Sequence, residues 1–375
     1  MLSRAFTKPK RSPKHGERRS ESNSIKSSAN SIHDEYDDII VGFMEDQPLN
    51  MICHYHHQNK KNDICCGGNR DHDRVHDHEE EEARVSFVPT LRAVLRSSVC
   101  VMGESPLGFT EKVVLLEGKI CAVKRFRKLS VKRKEFGRRI EHLAHISSRC
   151  EYLIPVTAYL YTKRIKFVIC DYYPMGSLSD LLLGARKDGH TYLNWNQRLM
   201  IIVCIARAIA FIHSQSPSPE KRLQLNVHGN IKSSNVMINV DFTARLSDYG
   251  YTQVADRVEL DETPQQRNSQ DINIDHLSQK SDIYNFGMIV LDILGGERAQ
   301  QMRSCLVEKR SEIREGVLPF FEFPVEGKER KWALEVLDIG LACTNMLAEP
   351  RPNIEKILLA LNDVLSNRQS NRAVI

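Results

Sequence analysis

From about residue 86 onward, apolar and polar positions fall into two textures. Residues 99–102, 112–116 and 120–123 are short, β-branched runs divided by glycine, a pattern that predicts strands joined by tight turns. Residues 136–146 carry apolar side chains at helical spacing, and 165–170 reads as a further strand. Ser177 followed by Asp180 makes a capping box that opens another helix. Long amphipathic helices then take over, at 199–213, 282–294, 332–344 and 354–365. This order predicts an α+β fold with a small β-rich lobe over 86–173 and a larger helical lobe over 174–368, followed by a tail at 369–375.

Residues 1–85 lack that periodicity. Arg4, Lys8, Lys10, Arg11, Lys14, Arg18 and Arg19 precede a serine-rich stretch, then the acids Asp34, Glu35, Asp37 and Asp38. Such sequence buries too little apolar surface to offset its conformational entropy, so disorder is expected. The basic arm reads as a solvated tail, as a contact for an anionic membrane surface, or as a nuclear address. Further on, Cys53, His54, His56, His57, Cys65, Cys66, His72, His76 and His78 gather before the acidic run Glu79–Glu82. These are zinc or copper ligand types, although their spacing fits no closed pair of ligand motifs. Adjacent Cys65 and Cys66 are also candidates for acylation.

Composition narrows the class. A chain of 375 residues with 41% apolar and 27% charged content can fill a sizeable core, and ten scattered cysteines read mostly as reduced thiols of a cytoplasmic protein. The most apolar helix, 199–213, is interrupted by Arg207, so no transmembrane segment is expected. The start is neither a secretory signal nor a myristoylation site. A net charge of +5 is too mild to call for nucleic acid.

Chemistry enters through six short motifs. Gly103-Glu-Ser-Pro-Leu-Gly108 lies between two predicted strands, where a glycine hairpin lets backbone N–H groups approach phosphates. Cys121-Ala-Val-Lys124 follows in a strand. Then come His228-Gly-Asn-Ile-Lys-Ser-Ser-Asn235, Asp248-Tyr-Gly250, Ser281-Asp-Ile-Tyr-Asn-Phe-Gly287 and Pro350-Arg-Pro352. Alone, none is diagnostic; six in this order and spacing are.

In these motifs the chain resembles the eukaryotic protein kinase domain over about residues 86–368, and within it the plant leucine-rich-repeat receptor-like kinases with atypical catalytic domains. Val94–Gly103, Tyr172–Leu178, Val227–Asn235 and Gln279–Gly287 carry that closer resemblance. It implies a bilobal kinase-like fold and a nucleotide pocket for ATP and Mg²⁺. Lys124 would anchor the α- and β-phosphates, Asp248 and Asn235 would hold the metal, and Lys232 would lie near the γ-phosphate. Gly103, Ser105 and Gly108 would form the phosphate loop. Asp171 and Tyr173 would form the adenine hinge after Cys170 as gatekeeper, with Ala122 and Met237 covering the base. His228 would pack internally, and Asp282 would accept hydrogen bonds from the catalytic-loop backbone. His213 reads as a partner for its own helix dipole.

The same resemblance exposes losses. The catalytic-base aspartate is Asn230, whose amide cannot accept a proton; such a base typically contributes about 10²- to 10⁴-fold. The preceding arginine is Gly229, which leaves no guanidinium to catch an activation-loop phosphate. Ser105 replaces the middle glycine of the phosphate loop. The N-lobe helix glutamate that should meet Lys124 aligns with Arg139, setting two cations against each other; Glu135 or Glu141 are the nearby acids, and Glu135 fits an i,i+4 pair with Arg139. Thr263-Pro264-Gln265 is the remnant of the A-P-E signature. Together these predict a pseudokinase acting as a signalling scaffold or allosteric partner of other signalling proteins, including active receptor-like kinases. A slow Ser/Thr kinase and an adaptor working through residues 1–85 are the alternatives. The expected location is cytoplasmic, at the inner face of the plasma membrane if the basic arm makes that contact.

Overall fold

The computed structural model describes residues 49–52, 90–115, 118–127, 129, 131–187, 193–216, 223–254, 277–302 and 304–372. The His/Cys-rich cluster, the Cys65–Cys66 pair, the basic arm and the Thr263-Pro264-Gln265 remnant lie outside the described residues.

The N-lobe is built on alternation. Strands β1 (Asn50–Met51), β2 (Ser98–Ser105), β3 (Gly108–Val114), β4 (Ile120–Phe126), β5 (Val156–Tyr161) and β6 (Lys166–Asp171) form one antiparallel sheet in the order β1-β5-β6-β4-β3-β2. Helix α1 (Leu91–Arg96), capped by the Thr90 hydroxyl, covers one face. Cys121 and Val123 of β4 join Leu91 and Val94 in that outer core, so period-2 geometry turns Ala122 and Lys124 to the opposite face. On that inner face lies helix α2 (Arg133–Ser147), which buries Phe136, Ile140, Leu143 and Ala144 at helical spacing. Gly137 admits the Tyr159 hydroxyl, which donates to Glu141 at 2.6 Å.

Strand β1 adds to the sheet from upstream of residue 86, with Leu49 buried in the outer core. Two residues of pairing are too short to register as a periodic signal. Helix α1 and strand β5 were likewise below the resolution of the hydrophobic pattern.

The C-lobe follows α3 (Leu178–Lys187), opened by the Ser177–Asp180 exchange of hydrogen bonds that the sequence predicts. Helices α4 (Trp195–His213), α5 (Gln279–Gly295), α6 (Glu297–Gln301), α7 (Arg310–Glu315), α8 (Gly327–Cys343) and α9 (Ile354–Arg372) make up the bulk of it, with a small hairpin of β7 (Val236–Ile238) and β8 (Ala244–Leu246). Asn194 and Ser278 close capping boxes at the starts of α4 and α5. By length and composition alone α4 could cross a membrane, because Arg207 does not break it. Most of its apolar side chains are instead buried in the helical core, among them Leu199, Ile202, Ile205, Ile209 and Ile212, while Met200 is exposed. The bilobal kinase-like architecture that the resemblance implied is the observed one.

Candidate nucleotide site

A cleft of about 200 Å³ lies between the lobes. Of the residues singled out in the sequence, Gly103, Ala122, Lys124, Asp171, Tyr173, Asn235, Met237 and Asp248 line it; Ser105, Gly108, Asn230 and Lys232 do not. Sheet pairing explains the upper wall. Ala122 lies opposite Cys170, and Cys121 opposite Asp171, so strand β4 delivers its small residue beside the chain segment that links the lobes. Met237 reaches the floor because β7 bridges to Ser177 just beyond Tyr173.

The glycine hairpin is closed by side chain as well as backbone. Ser105 pairs with Gly108, and its hydroxyl donates to the Gly108 carbonyl at 3.2 Å. The side chain of Ser105 therefore ties the turn. Gly108 has φ +148°, and a Cβ there would stand 1.8 Å from the Arg125 carbonyl, so only glycine fits. At Gly103 nothing lies within 4 Å of a built Cβ, which leaves space above the cleft.

At the polar end, Lys124 Nζ donates to Asp248 Oδ2 at 2.9 Å, each side chain only 10% exposed. Asp248 holds φ +62°, a strained state for a residue with a Cβ. Asn235 donates its amide to the Asn230 carbonyl at 2.8 Å, which leaves its oxygen uncommitted. Asn230 is buried, and its Oδ1 has no hydrogen-bond partner. Burial lowers the Lys232 ammonium from its usual range, with Asp248 opposing that shift and Lys124 adding to it.

The catalytic-loop segment hangs from helix α5. The Asp282 carboxylate accepts from the backbone N–H of His228 at 2.8 Å and of Gly229 at 3.0 Å, as expected. His213 does more than face a helix dipole: its Nε2 lies 3.1 Å from the same carboxylate. Asn230 N–H donates to Nδ1 of the buried His228, whose ring packs on Tyr249. Gly229 has φ +75°, and a Cβ there would come within 2.6 Å of a Leu277 methyl. The space beside the missing arginine is therefore already filled.

Arg139 departs from the sequence expectation. It does not confront Lys124: each cation has its own partner. Arg139, 3% exposed, donates through Nη1 to the Gln253 carbonyl at 2.7 Å and through Nη2 to Glu135, so the i,i+4 reading of Glu135 holds. Gln253 in turn brackets Gln224, accepting from its N–H at 2.6 Å and donating to its carbonyl at 3.0 Å. Helix α2 is thus tied to the chain just past Asp248, and that chain to the approach to the catalytic loop.

Sequence reasoning missed the roles of the tyrosines beyond Asp248. Tyr249 donates its hydroxyl to the Leu225 carbonyl, and Tyr251 lies under Cys170, its oxygen 3.7 Å from the sulfur. Burial pushes the Cys170 thiol up to about 12, so the gatekeeper position holds a neutral, unreactive thiol. Met102 and Thr110 also line the cleft, without any motif to announce them.

Comparison with known proteins agrees with this geometry. The family model described as "Protein kinase domain" matches residues 99–359. Two probable inactive receptor kinases of Arabidopsis thaliana are 30% and 31% identical over 286 and 292 residues, covering 73% of this chain and 42% and 43% of theirs. An inactive leucine-rich repeat receptor-like serine/threonine-protein kinase of the same plant is 29% identical, over 73% of this chain and 45% of its own. The chain spans less than half the length of these relatives. Among solved structures, the pseudokinase domain of BIR2, an immune regulator of the RLK/Pelle family, superposes with a TM-score of 0.62 at 20% identity, covering 87% of this chain and 92% of that one; this identity speaks to fold alone. The kinase domain of maize SIRK1, a sucrose-induced receptor kinase, bound to AMP-PNP gives 0.58 at 26% identity, covering 75% of this chain and 97% of that one.

Proposed function

The chain belongs to the protein kinase family, and from that premise we propose that it is a nucleotide-binding pseudokinase that works by contact rather than by phosphoryl transfer. The observation that carries this reading is Asn230, a buried amide at the position where transfer needs a carboxylate base. Several of its relatives are themselves named inactive.

ATP and Mg²⁺ fit the residues present. The uncommitted oxygen of Asn235 and the carboxylate of Asp248 are the hard oxygen donors that Mg²⁺ prefers, and the cleft is open above Gly103. Asn235 and Asp248 would hold the metal, which supplies charge neutralisation for the phosphates when bound. Lys124 would exchange Asp248 for the α- and β-phosphates, Ala122 and Met237 would sandwich the base, and Asp171 and Tyr173 would meet its edge by backbone groups. Lys232 stays near Asp248, its proton made more labile by burial.

A slow Ser/Thr kinase is the second reading, favoured by Lys124, Asn235 and Asp248 lining one cleft. Positioning and charge alone sustain some transfer when the transition state is loose. One experiment separates the two: thermal-shift titration with ATP and Mg²⁺ alongside single-turnover transfer to a generic peptide. A shift without transfer supports the pseudokinase; transfer abolished by Lys124→Ala supports the slow enzyme. Partners of the contact function are other signalling proteins, active receptor-like kinases among them, met on the cytoplasmic side, with the basic arm of residues 4–19 against the inner face of the plasma membrane.

A further inference from the structure

Two elements bring six basic side chains to one edge of the N-lobe. Lys132, Arg133 and Lys134 stand at the start of α2, Lys163 and Arg164 on the turn from β5 into β6, and Lys166 at the start of β6. Tyr161 joins the two groups. Its hydroxyl donates to the Val131 carbonyl at 3.1 Å, its ring meets Phe136 at 5.3 Å, and the Lys166 ammonium lies 5.4 Å from its centroid. All six are exposed except half-buried Lys166. Lys132, Arg133, Lys134 and Arg164 make no ion pair with any described residue. The acids of α2 are engaged elsewhere: Glu135 holds Arg139, and Glu141 accepts from Tyr159. Helix electrostatics do not account for the pattern either, because cations at a helix N-terminus oppose the macrodipole.

We propose that this face binds an anionic bilayer, through acidic phospholipid headgroups. The cations are spread over a helix start and a turn, and none of them lines the interlobe cleft or the pocket beside Trp195. Such a surface matches an extended sheet of negative charge rather than one small anion. Strand β1 adds a second argument. It runs antiparallel to β5, with Asn50 opposite Tyr159 and Met51 opposite Ala158, so the chain enters the sheet from the end of β5 that bears the 162–165 turn. The seven cations of residues 4–19 belong to the segment joined at that entry, and a bilayer can engage both basic groups where a short acidic peptide engages one. Asp34, Glu35, Asp37, Asp38, Glu45 and Asp46 lie between them in sequence and are repelled by such a surface, which makes the contact graded and salt-sensitive. The inference extends the membrane contact of the basic arm to the folded lobe without depending on it.

The test is co-sedimentation of the full chain with phosphatidylcholine vesicles, with and without about one-third phosphatidylserine. The chain should bind only the acidic vesicles and be released by about 0.5 M salt. The combined Lys132→Gln, Arg133→Gln, Lys134→Gln and Arg164→Gln variant should lose about tenfold or more in partitioning. Circular dichroism should show it folded, since removing cations from a helix start relieves the dipole. The charge-keeping pair Lys132→Arg and Lys134→Arg should bind like the parent, and deleting residues 2–19 should weaken but not abolish binding. The proposal is overturned if the parent ignores acidic vesicles, if the four-site variant binds unchanged, or if the deletion alone removes all binding. Patch-dependent binding of polyglutamate with none to vesicles would make the occupant an acidic protein and equally overturn it. None of these readouts depends on ATP, so failure here leaves the nucleotide reading untouched.

Discussion

Lys124 and Asp248 meet at 2.9 Å, so a cation and a carboxylate that both line the cleft neutralise each other across it. In the proposed nucleotide-bound form this pair would be separated, with Lys124 turned to the phosphates and Asp248 to Mg²⁺. Lys124→Ala should therefore act twice. The free chain should lose stability, up to about 3 kcal/mol for a carboxylate left unpaired in a mostly buried site, less what nearby Lys232 restores. The ATP-dependent shift, about 2.7 kcal/mol at a hundred times Kd, should vanish. Thermal-shift curves of both proteins with ATP, with and without Mg²⁺, check this; an unchanged shift in the variant would mean that nucleotide does not use this cleft.

Phosphorylation beyond Asp248 is not expected to switch the chain. Thr252 is buried, its hydroxyl unpartnered and 3.1 Å from a Cβ built on Gly229. Thr252→Val should be neutral or stabilising by up to about 1 kcal/mol, because an unsatisfied hydroxyl is exchanged for a methyl. Gly229→Arg, which restores the missing cation, should instead cost roughly 2–4 kcal/mol through its left-handed backbone and its overlap with Leu277. Urea denaturation of the two variants measures both signs, and a stable Gly229→Arg protein would contradict the packing described.

Acid should weaken the fold through His228. Burial lowers this imidazole below its ordinary value of 6.5, with Asp282 opposing the shift, and Nδ1 is occupied as an acceptor from Asn230 N–H. Between the folded and unfolded values the unfolded chain binds the extra proton, so stability is complete above about pH 6.5 and falls as the pH drops through that window. The slope from this one group is at most about 1.4 kcal/mol per pH unit. His228→Gln should be less stable at neutral pH yet lose less on acidification. Denaturation midpoints between about pH 5 and 8 for parent and variant give the difference, in which the other histidines cancel.

Local rules made the Ser177–Asp180 exchange legible, and it forms as spaced. Ala122, Lys124 and Asp282 were named only through the kinase resemblance; in the fold Ala122 and Lys124 line the cleft and Asp282 accepts from the loop backbone. What escaped was non-local. The identity of Arg139 announced a lost pair with Lys124, and its spacing announced Glu135. Nothing in the sequence pointed to a carbonyl 114 residues away as its other partner. Gly229 advertised a missing arginine, but the left-handed backbone and Leu277 that bar its return belong to packing. His213 reads as a helix end until α5 brings Asp282 beside it.

That non-local tie changes what a repair of the site should do. Pairing logic from sequence alone predicts that Asn230→Asp and Arg139→Glu cooperate, one returning the base and the other the partner of Lys124. In the fold, Arg139 points to Gln253 and Glu135, so a glutamate there faces a carbonyl and a carboxylate in a buried site. Arg139→Glu should cost about 3–5 kcal/mol, the usual penalty for an unpaired buried charge, and should loosen the tie to Gln224. Asn230→Asp alone loses no hydrogen bond at Oδ1 but sets a carboxylate in a buried position, so it should lower stability, less what nearby Lys232 offsets, and remain without appreciable transfer while Lys124 is held by Asp248. The double variant should then be no more active than Asn230→Asp and markedly less stable. Arg139→Met, which removes the cation without adding an acid, should be the milder lesion of the two at that position. Single-turnover transfer from ATP and urea denaturation of all four variants decide the matter. Cooperative recovery of activity in the double variant would show that helix α2 can turn its 139 side chain to Lys124, and that the Gln253 tie does not hold it.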